Sequence, residues 1–95
     1  MRAPILITAT TTAQAVILPE QYRNIEHPVA VGVIVEDGLS EWQYSNIETG
    51  NYVTVPNGDP IGLGYMAPGD GGVLFWVKAP TDTSIVIQTS LNVHR

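Results

Sequence analysis

The absence of cysteine removes thiol catalysis and Cys-based zinc sites, and the first candidates for chemistry are the two histidines and nine acids. His27 precedes Pro28 in a connector, and His94 is the residue before Arg95. Neither has a serine nucleophile at a familiar spacing, and both are read as surface or capping histidines. The acids fall into two kinds. Glu36, Asp37 and Glu41 gather around one turn, whereas Asp59, Asp70 and Asp82 each sit in a separate loop rich in Gly, Pro or Thr. Loops of a β-sandwich gather at its two ends, where carboxylates could share a calcium ion, which takes about six to eight oxygens. No EF-hand or repeat-type calcium motif is present. An Asp in a turn bonds its own following backbone, which accounts for Asp59, Asp70 and Asp82 without a metal. A glycosidase pair needs two acids facing across a cleft, and a domain this small has little room for one. Gly69-Asp70-Gly71-Gly72 has neither the Lys-Ser/Thr nor the helix that makes a phosphate loop, and reads as a hairpin loop. No catalytic residue, cofactor or metal is expected, and the chain reads as a binding or assembly module rather than an enzyme.

The aromatic residues are the other candidates. Phe75 and Trp76 are adjacent in a strand pattern and must point to opposite faces. One of them therefore leaves the inner face and becomes a candidate anchor for a sugar or a protein neighbour. Trp42 and Tyr44 share a face on another strand, where core packing is the better assignment.

The elements that position these residues are strands. No window keeps the i, i+3, i+4 apolar spacing of a helix, and period-2 segments recur at intervals of about ten residues. Strands are expected at Ile5 to Thr11, Gln14 to Leu18, Val29 to Val35, Glu41 to Ser45, Tyr52 to Val55, Ile61 to Met66, Val73 to Lys78 and Ile85 to Leu91. The stretch Glu20 to His27 is a connector with room for one helical turn. Val29 to Val35 is apolar on both faces and reads as central and covered on both sides, with Gly32 permitting a close neighbour. Asp37-Gly38 suits a tight hairpin. Pro56–Pro60 and Pro68–Gly72 are loops. The expected architecture is all-β: one compact antiparallel sandwich of about eight short strands spanning 1–95, jelly-roll or immunoglobulin-like, with 1–11 as an N-terminal arm or edge strand.

Composition narrows the function. Only 14% of the 95 residues are charged, against about 25% in ordinary domains. The surface is covered by Thr, Ser, Asn, Gln and Gly, which suits burial against protein neighbours. The net charge is −5, and the basic residues Arg2, Arg23, Lys78 and Arg95 are scattered. Nucleic acid and anionic membrane need clustered basic residues, so neither is an expected partner. Ile5-Leu6-Ile7 is too short for the apolar region of a signal peptide, and the segment reads as a strand. The lack of cysteine fits assembly in a reducing cytoplasm, or stability gained by association.

The run Thr12-Ala13-Gln14-Ala15-Val16-Ile17-Leu18-Pro19 leads to a Val-rich strand, Asp37-Gly38 and Trp42. It continues through Gly50-Asn51-Tyr52-Val53-Thr54-Val55-Pro56 to a Thr-Asp-Thr-Ser turn and Ile85-Val86-Ile87-Gln88. In style and spacing this resembles the small β-sandwich virion proteins of tailed bacteriophages, especially head decoration (cement) proteins. The resemblance implies a structural protein assembled in the host cytoplasm that coats the capsid surface. It would contact the major capsid protein and neighbouring copies of itself, as a homo-oligomer or bound to the lattice. The candidate contact residues are Arg2, Pro4, Ile5 and Ile7, which could add a strand to an exposed sheet edge. Asn57, Asp59 and Asp70 in the loops, and Trp76, complete the set. The alternative is a carbohydrate- or receptor-binding sandwich using Trp42 or Trp76 with loop carboxylates.

Overall fold

The computed structural model describes residues 4–18 and 28–89, with the side chain of Asp70 left out of the description. The connector expected at 20–27, both histidines and Arg2 lie outside the described residues. Eight strands are found: β1 Ile5–Ala9, β2 Gln14–Ile17, β3 Val29–Val35, β4 Trp42–Ser45, β5 Val53–Val55, β6 Ile61–Met66, β7 Val73–Lys78 and β8 Thr83–Thr89. They form two four-stranded antiparallel sheets, ordered β1-β8-β3-β6 and β2-β7-β4-β5.

This order decides between the two expected topologies. Strand 1 pairs with 8, 2 with 7, 3 with 6 and 4 with 5, with successive pairs alternating between the sheets. A long hairpin rolled up on itself produces that nesting, which is the jelly roll. Only β4 and β5 are both consecutive in sequence and hydrogen-bonded to each other among the described strands.

Alternation along each strand builds the core. Val29, Val31, Val33 and Val35 of β3 and Ile85 and Ile87 of β8 point inward from the first sheet. Val16, Trp42, Val55, Phe75 and Val77 meet them from the second. Each large side chain buried in this way contributes about 1.5–3 kcal/mol. Phe75 is the inward member of the adjacent aromatic pair, and Trp76 is half-buried on the outer face. Trp42 is fully enclosed, and its ring lies 5.5 Å from that of Tyr44.

Several expectations need correction. β1 stops at Ala9 rather than Thr11, because Thr10 turns the chain: the Thr12 amide donates to Thr10 Oγ1 and the Ala79 amide to the Thr10 carbonyl. β8 begins at Thr83 rather than Ile85, because the buried Thr83 hydroxyl donates to the Thr81 carbonyl at 2.8 Å and so satisfies itself. β3 is flanked by β8 and β6 but covered on its inner face alone, since Ile34 remains 39% exposed. Gly32 leaves room for a side chain, with the nearest atom to an added Cβ being the Ile61 carbonyl oxygen at 3.9 Å.

Asp37-Gly38 makes no hairpin. It carries the chain from β3 in one sheet to β4 in the other. Asp37 Oδ1 accepts the amides of Leu39 and Ser40 at 2.8 and 2.9 Å, and Oδ2 accepts the Ser40 hydroxyl, which holds the crossing in shape. Gly69–Gly72 likewise crosses between sheets rather than joining paired strands, using positive φ at Gly71 and Gly72.

Candidate interaction surface

The jelly-roll order places the connections 10–13, 36–41, 56–60 and 79–82 at one end of the sandwich. Glu36, Asp37, Glu41, Asp59 and Asp82 all belong to that end, and none of them is buried. The contacts that tie it together are the Ala79 amide to the Thr10 carbonyl, the Glu36 amide to the Ser84 carbonyl, and Gly58 packed on the turn at Gly38 and Leu39. Asp37 is held below the usual carboxylate range by the Ser40 hydroxyl first and then by the Leu39 and Ser40 amides. Its oxygens are thus committed to the turn. No three acids or histidines among the described residues come together as a metal site.

Charge is nearly absent from the strands. No residue of β1, β8, β3 or β6 is charged, and Lys78 is the single charged residue in the other sheet. Lys78 Nζ lies over the Tyr52 ring at 4.3 Å, and the Tyr52 hydroxyl donates to the Glu48 carbonyl at 2.7 Å. Burial first, and then the nearby Glu48 charge, push the Tyr52 phenol upward from its ordinary value.

The outer face of the β1-β8-β3-β6 sheet is the least expected surface. Leu6 stands opposite Val86, and Val86 opposite Ile34, so three apolar side chains form one row across three strands. Leu6 is 75% exposed. Beside this row, Gly32, Ile34, Pro60, Gly62 and Gln88 line a shallow depression of about 320 Å³. Tyr65, opposite Ala30, continues the exposed apolar surface. The face is neutral, and the missing side chains at Gly32 and Gly62 leave it low.

The residues singled out from sequence do not converge on one site. Asn57 and Asp59 lie at the acidic end, and Trp76 lies on the outer face of the opposite sheet between Ala15 and Ser45. Pro4 is exposed, whereas Ile5 and Ile7 point inward from β1 and pack against the core. The N-terminal stretch is therefore an edge strand of the domain from Ile5 onward. Trp42 is closed off from any sugar. Leu6, Ile34, Val86 and Tyr65 were missed because alternation marks them as outward but only the register lines them up.

No protein-family model matches this chain, and no curated protein is similar to it. No helix among the described residues is long and apolar enough to cross a membrane.

Proposed function

We propose that the protein is a structural virion protein that decorates and stabilises an assembled phage head, docking through the outer face of its β1-β8-β3-β6 sheet. The observation that carries this reading is the uncharged apolar row Leu6–Val86–Ile34 on a chain whose other described charges are kept to loops and to Lys78. The face is neutral and its depression is shallow and open, which suits a protein surface better than the enclosing clefts that small molecules favour. Jelly rolls recur in viral coats and also in lectins, so the fold supports the reading only by analogy.

Scale agrees with a coat. Four strands about 4.8 Å apart and five to seven residues long cover roughly 400 Å². That is well short of the roughly 800 Å² per partner of a stable pairwise complex. Repetition over a lattice makes a weak contact sufficient through avidity.

The test is reconstitution. Particles stripped of minor proteins are incubated with the wild-type chain or with the Leu6→Lys, Ile34→Lys variant, and bound copies are counted by quantitative mass spectrometry. Hundreds of copies for wild type, and loss for the folded variant, are expected. Equal binding by the variant would sink the assigned face, and a dozen copies or fewer would move the protein to a connector or tail. Glycan binding abolished by Trp76→Ala would instead favour the lectin-like alternative.

A further inference from the structure

The four strand edges of the sandwich are not alike. β5 has only three residues, β2 carries a register shift between Val16 and Ile17, and β6 faces a shift at Val31/Gly32 and has positive φ at Gly64. Short, bulged and twisted edges resist pairing with another chain. β1 has none of these protections over Ile5–Ala9 and carries no charge.

The hydrogen-bond phase of β1 follows from its neighbours. The Glu36 amide donates to the Ser84 carbonyl, so the backbone groups of Ser84 point toward β3. Alternation then turns Val86 the same way, and leaves Thr83, Ile85 and Ile87 to bond β1. Thr8 opposite Ser84, and Leu6 opposite Val86, are accordingly non-hydrogen-bonded pairs. Their amides and carbonyls point away from β8, on the side where no other described strand pairs with β1. Thr10 has the same phase, and its carbonyl is already taken by the Ala79 amide.

We infer that this edge pairs with the β1 edge of a second copy, antiparallel about a two-fold axis at Ile7. In that register Leu6 faces Thr8 of the other copy and Thr8 faces its Leu6, giving on the order of four new backbone hydrogen bonds. Shifting the register to centre on Leu6 would oppose Thr8 to Pro4, which has no amide to give. Centring it on Thr8 would oppose Leu6 to Thr10, whose carbonyl is occupied. The edge is thus complementary to itself in one register, as a two-fold interface requires.

Two further observations favour a second copy. Ile5 and Ile7 point to the core side yet remain half-buried, and a strand laid alongside β1 would cover them. The chain carries −5 overall, but copies meeting at β1 approach through uncharged strands. The product is one continuous eight-stranded sheet whose neutral outer face is doubled.

The inference stands apart from the particle reading, since a dimer that binds no particle leaves it intact. Sedimentation at high micromolar concentration should show a dimer. Thr8→Pro removes one outward amide and leaves the β1–β8 ladder its bonds. It should weaken dimerisation at least tenfold while circular dichroism is retained. A second measurement does not depend on that variant folding. Ile7→Cys places the chain's single thiol across the axis from its copy, within the roughly 4.4–6.8 Å Cα separation of a disulfide. It should cross-link rapidly under mild oxidation, whereas Thr8→Cys, facing Leu6, should not. A monomeric wild-type protein, or equal cross-linking by both variants, overturns the inference.

Discussion

Gly58 and Gly38 have almost the same backbone conformation, φ +64° and +68°, in very different surroundings. Comparing Gly58→Ala with Gly38→Ala therefore separates backbone strain from steric contact. A left-handed conformation costs an L residue about 1–2 kcal/mol. Loss of glycine's freedom in the unfolded chain returns about 0.4–1 kcal/mol. Gly38→Ala stops there, because nothing lies within 4 Å of the added Cβ, and a net loss of about 1 kcal/mol is expected. At Gly58 the Cβ would fall 2.5 Å from the Leu39 amide nitrogen and 2.6 Å from the Gly38 carbonyl carbon. Those are backbone atoms of the turn that Asp37 holds through the Leu39 and Ser40 amides, so they yield poorly. Overpacking adds about 1–3 kcal/mol, for a total of about 2–4 kcal/mol. In a chain of this size each kcal/mol lowers Tm by about 4–8 °C. The assay is urea denaturation and thermal melting of both variants beside wild type. Equal destabilisation by the two substitutions would refute the argument that Gly58 is required by contact. A double variant with Asp37→Ala should lose less than the sum of the single effects, because the turn is then free to move aside.

Other expected outcomes follow from neighbouring features. Phe75→Ala should cost about 3–5 kcal/mol in urea denaturation, whereas Trp76→Ala, on the half-exposed outer face, should cost clearly less. Removing residues 1–7 takes away the half-buried Ile5 and Ile7 together with most of the β1 ladder, and should lower stability by about 2–4 kcal/mol on the same assay. A truncated chain that melts with wild type would show that β1 is dispensable. Because the Asp37 pKa is lowered on folding, its contribution is present above its ordinary value of 3.8 and is lost as pH falls through the folded value. Asp37→Asn should flatten that acid limb of the stability profile. The Tyr52 pKa is raised on folding, so stability should fall as pH rises above its ordinary value of 10.0. Tyr52→Phe should remove that alkaline decline.

Period-2 alternation gives β3 its observed bounds through the unbroken inward run Val29, Val31, Val33 and Val35, and β6 and β7 also match their expected bounds although each pairs through a register shift. It also marked Phe75 and Trp76 as opposed. Strand ends near threonine were less legible, because Thr10 and Thr83 spend their hydroxyls on local backbone bonds that alternation does not register. Asp37-Gly38 is as compatible with a crossing as with a hairpin. Only the pairing of β3 with β6 and β8 decides, and that pairing is non-local. The neutral face was hidden for the same reason. Leu6, Ile34 and Val86 lie far apart in the chain and become neighbours through register alone.

The nested pairing also has a consequence in time. Synthesis delivers β1 first, yet its partner is β8, the last described strand to emerge. Until then the Ile5–Ala9 segment has no partner strand among the described ones, while β4 and β5 can close as soon as Val55 is made. Assembly thus runs outward from the middle of the chain, with each enclosing pair farther apart in sequence and entropically costlier to join. On the ribosome, β1 is the earliest made of the described strands and among the last secured. It stays an unclaimed apolar strand until β8 has been made, the state in which a nascent chain most needs a chaperone.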